Sequence, residues 1–175
     1  MIRFAIAVVL AMTAWAVPAR AADVATIGCI AAKIPQALYD RVAADVAQRL
    51  LDRTDADPAL REEIRAMGGQ CGEQYGWSDP AIEAAVSFTY GDICLKAAQA
   101  IARDKGVDLD ILARTWADFP EDLRIHRFSQ DTLNSFGAKL RAAGMFTNRD
   151  HAWILGKLVA YLNVIAFSRQ DFIDA

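Results

Sequence analysis

Residues 68–80, GGQCGEQYGWSDP, hold the densest group of chemistry-bearing residue types in this 175-residue chain. Four glycines, a cysteine, a tyrosine and a tryptophan fall within thirteen positions. This composition fits a phosphate-binding loop, a redox site or the end of a helix. The segment lacks the G-x-G-x-x-G pattern, and no Lys-Ser/Thr pair follows the glycines as it does in a P-loop. The spacing therefore favours a packed helix end over a phosphate site.

The glycines of this segment are regularly spaced, with Gly68, Gly72 and Gly76 at four-residue steps. If the helix that contains Cys71 continues through them, they form a bare stripe along one of its faces. Each glycine inside a helix costs about 1 kcal/mol relative to alanine, and close approach of another element would offset that cost. If no element covers the stripe, it becomes a groove for a partner. The candidate groove consists of Gly68, Gly72, Tyr75, Trp77 and Trp116.

The three cysteines are Cys29, Cys71 and Cys94. Residues 1–21 resemble a signal peptide, so we expect export to an oxidising compartment, where a disulfide is expected. Cys71 ends the second of two antiparallel helices and so returns to the start of the first, next to Cys29. Cys94 is offset from Cys71 by about 16 Å along the next hairpin, well beyond the limit of about 7 Å between bridged Cα atoms. We therefore predict a Cys29–Cys71 disulfide and a buried thiol at Cys94.

No pattern typical of a metal, haem or nucleophilic site occurs in the sequence. His126 and His151 lie in separate predicted helices, and neither belongs to an H-x-x-x-H or E-x-x-H pattern. The chain also lacks C-x-x-C, C-x-x-C-H, G-x-S-x-G and S-x-x-K. We therefore expect no cofactor, and we expect that the protein is not an enzyme.

The acidic residues leave one catalytic alternative open. The pairs Glu62-Glu63 and Glu121-Asp122 fall in or near the first turns of predicted helices, where the helix dipole favours carboxylates. Glu73 lies among the glycines and is the acid to test first. A glycosidase would need two carboxylates facing one cleft. The alternative function is therefore a hydrolase that uses such carboxylates on a cell-wall or lipid substrate.

The first 21 residues, MIRFAIAVVLAMTAWAVPARA, have the layout of a secretory signal peptide. Arg3 supplies the positive start, residues 4–17 carry no charge, and Pro18 ends the apolar run. Ala19 and Ala21 provide the small residues that a signal peptidase reads. A membrane span needs about 20 apolar residues, so a retained N-terminal anchor is the weaker interpretation. Cleavage near Ala21 would leave a periplasmic or secreted protein.

The charge of the chain argues against two classes of partner. Its formal net charge is −3, and the signal peptide contributes two arginines and no acid. Residues 22–175, which remain after cleavage, therefore carry a more negative net charge than the full chain, and they contain no basic cluster. We expect neither nucleic acid nor an anionic membrane surface as a partner.

The rest of the chain, residues 22–175, predicts a single all-α domain. Its apolar residues recur at helical spacing, and Asp, Ser, Pro and Gly residues punctuate the segments. We expect an N-terminal extended segment and a bundle of five to seven mostly antiparallel helices, at about 35–53, 58–75, 79–104, 109–117, 121–128, 130–143 and 149–172. The last helix is strongly apolar, but Lys157 and Asn163 interrupt it. We interpret it as a core helix and expect no membrane span after cleavage.

These observations favour an exported, non-enzymatic helical binding or interaction protein of the bacterial envelope. Its partner would be another envelope protein or a small apolar ligand. A periplasmic inhibitor or immunity protein belongs to the same class, and the hydrolase remains the catalytic alternative.

The signal peptide gives the first testable prediction. Mass analysis of protein exported from a bacterial host should find an N-terminus at or close to Ala22, because Ala19 and Ala21 position the peptidase. An intact Met1 in the membrane fraction would contradict it.

Overall fold

The computed structural model describes residues 22–146 and 148–175, and in these residues every regular element is helical. A 3-10 helix, Val24–Thr26, comes first. The α-helices are α1 (Cys29–Lys33), α2 (Gln36–Asp52), α3 (Pro58–Tyr75), α4 (Asp79–Asp104), α5 (Leu109–Ala117), α6 (Glu121–Arg124), α7 (Gln130–Ala142) and α8 (Arg149–Asp174). The predicted all-α fold is confirmed. The seven predicted helices are present, and the eighth is the short α1, which lies in the N-terminal segment. The predicted signal peptide lies outside the described residues.

Side chains at the helix starts explain why the helices begin where they do. Asp57, Ser78, Asp108 and Ser129 each accept a hydrogen bond from a backbone N–H of the following turn. Asn148 does the same at the start of α8. These bonds satisfy N–H groups that have no partner within the helix.

The two longest helices, α4 and α8, form an antiparallel pair at the centre of the bundle. Near the start of α4, the Ser78 hydroxyl donates to the Ala175 carbonyl oxygen at 3.3 Å. At the other end of the pair, Nε2 of His151 lies 2.9 Å from the carbonyl oxygen of Lys105. The contacts at both ends fix the direction of α8 along α4.

A glycine allows the close approach of these two helices at mid-length. A Cβ atom added to Gly91 would lie 3.1 Å from Cγ1 of Val164 and 3.3 Å from Cγ1 of Ile165. These distances are shorter than an ordinary van der Waals contact, so only a residue without a side chain fits here easily. Gly91 therefore sets the separation between α4 and α8.

Helices α2 and α3 run antiparallel and pack on α4. The guanidinium of Arg41 binds both carboxylate oxygens of Glu63, at 2.7 and 2.9 Å. Near the turn between the two helices, the backbone N–H of Asp57 donates to Oδ1 of Asp45 at 3.3 Å. Residues 53–57, which connect the helices, are all exposed, as are the two residues on either side of them.

The predicted Cys29–Cys71 disulfide is formed, with 6.1 Å between the two Cα atoms. It links α1 to α3 across 42 positions of sequence, and loop-closure entropy predicts a stabilisation of about 4 kcal/mol. The indole N–H of Trp77 also donates to Oγ1 of Thr26 at 3.0 Å. The disulfide and this hydrogen bond attach the N-terminal segment to the bundle.

Four aromatic rings fill the corner where α5, α6 and α7 meet. The ring of Phe136 lies at its centre, with the rings of Trp116, Phe119 and Phe128 at 5.7, 5.0 and 6.2 Å between centroids. Edge-to-face pairs of this kind add to the stabilisation from burial.

A buried amide attaches the connection between α6 and α7 to α8. Nδ2 of Asn163 donates to the carbonyl oxygens of Arg124 and His126, at 3.1 and 2.8 Å. Its Oδ1 accepts from the N–H of Phe128 at 3.0 Å. Asn163 thus provides hydrogen-bond partners for three backbone groups of this connection. A buried backbone group left without a partner would cost about 1–3 kcal/mol of stability.

By length and composition alone, α8 could cross a membrane, and it is the one helix among residues 22–146 and 148–175 that meets this test. In the structure it packs along α4, and Leu155, Leu158 and Phe172 are fully buried. About 44% of its most apolar window is buried, and the interpretation as a core helix stays a prediction.

Helix α4 covers two of the three glycines in the predicted stripe, Gly68 and Gly72, whereas Gly76 is exposed and ends α3 with a φ of 68°. A Cβ atom on Gly72 would lie 2.5 Å from Cδ1 of Ile82, and one on Gly68 would lie 2.9 Å from Cγ2 of Val86. Gly69, on the same helix, is exposed and has no such neighbour within 4 Å. Close packing of α3 on α4 therefore accounts for the glycines at 68 and 72.

We predict that Gly72→Leu lowers the free energy of unfolding by about 1–3 kcal/mol, because the new side chain must displace Ile82. The matched control is Gly69→Leu, which should leave stability unchanged or raise it by up to about 1 kcal/mol through helix propensity. Urea denaturation of both variants with the disulfide intact measures the difference. Equal stability of Gly72→Leu and the unmodified protein would refute the close packing at this position.

Candidate functional site

The structure does not bring the five residues of the predicted groove together. Gly68 and Gly72 face α4, as described above. Tyr75 is exposed and stacks on Trp77, while Trp77 is buried against Phe172. Trp116 belongs to the separate aromatic corner at α5–α7. The groove predicted from the sequence is therefore absent, because α4 occupies the glycine face.

The acids singled out in the sequence are dispersed over the surface. Glu63 pairs with Arg41, and Glu62 pairs with Arg65 at 3.2 Å. Glu73 is exposed on α3. Glu121 is exposed at the start of α6, where it lines a shallow depression of about 180 Å³. The arrangement does not place Glu73 and Glu121 in one cleft.

An apolar groove lies instead between α7 and α8, which the sequence did not indicate. Each helix contributes four positions with the spacing i, i+3, i+4 and i+7, and Phe146 lies between the two helices in sequence. The lining residues are Leu133, Phe136, Gly137 and Leu140 from α7, Ala152, Leu155, Gly156 and Val159 from α8, and Phe146. No charged or polar side chain lines the groove. Its volume is about 150 Å³.

Two glycines keep this groove open, one on each wall. A Cβ atom added to Gly137 or to Gly156 would meet no atom within 4 Å beyond its own helix and chain neighbours. This is the opposite of the situation at Gly72, where the neighbouring helix fills the space. Leu133 forms part of the groove and remains 42% exposed. The groove can therefore take an apolar group without moving either helix.

A buried polar cluster lies elsewhere, where α2 faces α4 and α8. Nε of Arg49 lies 2.8 Å from Oδ2 of Asp45, and both side chains are largely buried. The Nη2 group of Arg49 donates to the hydroxyl of Tyr90 at 3.3 Å and to Sγ of Cys94 at 3.7 Å. The same Asp45 accepts from the backbone at the start of α3. The Arg49 guanidinium thus connects α2 to α4, and Asp45 extends the cluster to the start of α3.

The cluster holds its thiol and phenols in their neutral forms. Burial raises the pKa of the Cys94 thiol above its ordinary value, although the Arg49 charge opposes the shift. Burial likewise raises the pKa of Tyr90, and it raises that of Tyr161 to about 12. Because the thiolate is the reactive form of cysteine, Cys94 is held as an inert buried thiol. We therefore interpret the cluster as a structural contact between helices and not as a redox site.

The sequence contained a signal for this cluster. Asp45 and Arg49 are spaced i, i+4 beside the apolar stripe of Val42, Val46 and Leu50. An acid and an arginine at that spacing form a pair on one helix face. Their burial depends on α4 and α8, which the pattern of α2 alone does not reveal.

Comparison with protein-family models, with curated proteins and with solved structures gives no match to this chain. Within residues 22–146 and 148–175, no three His, Cys, Asp or Glu side chains are grouped as a metal site. The functional argument therefore depends on the geometry of the groove.

We predict that Arg49→Met lowers the free energy of unfolding by about 3 kcal/mol, because it leaves the Asp45 carboxylate buried without its partner. The matched control is Arg41→Met on the same helix, which removes an exposed ion pair with Glu63 and should cost far less than Arg49→Met, because solvent screens the pair. Denaturant titrations of both variants give the two values. Similar losses for the two variants would refute a special contribution from the buried cluster.

Proposed function

We propose that this protein is an exported, non-enzymatic binding protein of the bacterial envelope, and that its ligand is a small apolar molecule held between α7 and α8. The observation that carries the proposal is the α7–α8 groove, which has an entirely apolar lining and a glycine on each wall. Its volume of about 150 Å³ suits a group the size of one aromatic ring. An apolar cavity of about that volume is large enough to bind benzene.

Export is supported by the N-terminal sequence and by the disulfide. The first 21 residues have the composition of a signal peptide, and disulfides persist in oxidising compartments. The Cys29–Cys71 bond therefore fits a protein that functions in the periplasm or outside the cell.

Transfer of an apolar group from water into the groove supplies the driving force for binding. Leu155 and Val159 form a buried base, and the walls are already in place before a ligand arrives. Apolar burial is worth about 25 cal/mol per Å². A small ligand in an open groove should therefore bind weakly and exchange fast.

A protein partner is the second candidate, and the exposure of Leu133 favours it. This leucine belongs to the groove and is 42% exposed, so a partner side chain that enters the groove could also cover it. An inhibitor or immunity protein would use the surface in this way.

Binding of fluorobenzene, followed by ¹⁹F NMR, tests the proposed function. The unmodified protein should broaden and shift the fluorine signal, because the ring enters the groove. Gly137→Leu and Gly156→Leu each place a side chain in the open space and should abolish most of the effect.

Gly69→Leu is the matched control, because it adds the same side chain to an exposed helical glycine far from the groove. It should bind fluorobenzene like the unmodified protein. Equal broadening in all four proteins, or none in the unmodified protein, would overturn the small-ligand proposal.

A further inference from the structure

A second, wider cleft is separate from the α7–α8 groove. It lies beside the pair formed by the first half of α4 and the last part of α8, with α3 and the α6–α7 connection at its margins. Its volume is about 620 Å³, within the range of about 300–1,000 Å³ that is usual for small-molecule sites. It is lined by Arg61, Pro80, Glu83, Ala84, Ser87, Arg127, Phe167, Ser168, Asp171, Asp174 and Ala175.

One end of the cleft presents a guanidinium whose partners leave it available to an anion. Arg61 donates to Oγ of Ser87 at 3.0 Å and approaches Oε2 of Glu83 only at 3.4 Å. The same oxygen of Glu83 accepts a shorter bond, 2.7 Å, from Arg65. Arg65 is shared, since it also pairs with Glu62 at 3.2 Å. The bonds of Arg61 to Ser87 and Glu83 use only its Nη2 group, so its other N–H groups and the hydroxyl hydrogen of Ser87 form a donor set for a carboxylate.

The other end of the cleft presents carboxylates. Asp174 accepts a hydrogen bond from the Gln170 amide at 2.9 Å and forms no ion pair within the described part of the chain. Asp171 lies one turn earlier, with Nη2 of Arg127 at 3.9 Å. The carboxylate of Asp174 is therefore the group best placed to accept an ammonium.

Two further polar residues, Ser168 and Arg127, line the cleft. Ser168 is 1% exposed, and its Oγ has no hydrogen-bond partner. Arg127 lies 4.6 Å from the centre of the Phe167 ring. The residues on either side of Arg127 are the ones that Asn163 binds. The side of the cleft formed by the α6–α7 connection is thus held by α8.

The distance between the two ends fits a peptide of three residues. Ser87 and Pro80 are seven residues apart on α4, and Ser168 and Asp174 are six apart on α8. At about 1.5 Å per residue, both helices give a separation of about 10 Å. An extended chain of three residues spans about the same length.

We propose that this cleft binds a short zwitterionic peptide of about three residues. The peptide carboxylate binds Arg61 and Ser87, and the peptide ammonium binds Asp174. The lining carries Arg61 and Arg127 together with Glu83, Asp171 and Asp174, so both signs of charge are present, with Arg61 at one end of the cleft and Asp174 at the other. The unpartnered hydroxyl of Ser168 lies at the same end of the cleft as Ser87 and is a further hydrogen-bonding group for the peptide carboxylate.

Calorimetric titration with trialanine and two blocked forms tests the proposal. Trialanine should bind at least about tenfold more tightly than N-acetyl-trialanine or trialanine amide, because each blocked form loses one charged hydrogen bond. Free alanine is too short to reach both ends and should bind no better than the blocked peptides.

Two variants then assign the ends of the peptide. Arg61→Gln should reduce trialanine affinity about tenfold and leave the affinity for trialanine amide unchanged. Asp174→Asn should reduce trialanine affinity similarly and leave that for N-acetyl-trialanine unchanged. If Arg61→Gln does not fold, Arg61→Lys keeps the charge and should retain the preference for trialanine over its amide.

Arg41→Gln and Asp92→Asn are the controls, since each removes one partner of an exposed ion pair outside the cleft. Both should bind trialanine normally. Gly156→Leu should also bind it normally, which separates this site from the α7–α8 groove. No heat with trialanine at millimolar concentration, equal affinity for all three peptides, or tighter binding of inorganic phosphate would overturn the proposal.

Discussion

The close contact of α4 and α8 at Gly91 is the constraint on which the rest of the structure depends. Both helices are 26 residues long, so the point at which they touch determines which residues lie opposite one another along the whole pair. A Cβ atom at position 91 would require Val164 or Ile165 to move by a few tenths of an ångström. The contact determines which α4 and α8 residues lie opposite one another in the cleft lined by Arg61 and Asp174, and it gives α2 and α3 a surface on which to pack.

Polar groups in the interior then specify how the outer helices attach to this pair. Arg49 binds groups on α2 and α4, and Asn163 binds three backbone groups of the α6–α7 connection. Apolar burial alone tolerates small rotations of a helix, whereas a buried charge or amide loses its partners when the helix turns. Arg49 and Asn163 therefore restrict the rotation of the outer helices more than apolar contacts do.

Local features of the sequence predicted the helices well, because capping residues such as Asp57 and Ser129 act within one turn. The disulfide was also predictable, since an antiparallel hairpin brings Cys71 back to Cys29. The α7–α8 groove and the cleft beside α4 and α8 were not predictable from the sequence. Gly72 and Gly156 are both helical glycines beside apolar residues, yet Ile82 covers the first and no residue fills the space at the second. That difference arises from tertiary packing, which no local pattern encodes.

The Cys29–Cys71 bond has a topological consequence for the first third of the described chain. It closes a covalent ring that contains α2 and the exposed connection between α2 and α3. A protease that cuts this connection would open the ring without releasing a fragment, because the disulfide still joins the two pieces. Cleavage of this exposed connection thus leaves the molecule covalently whole.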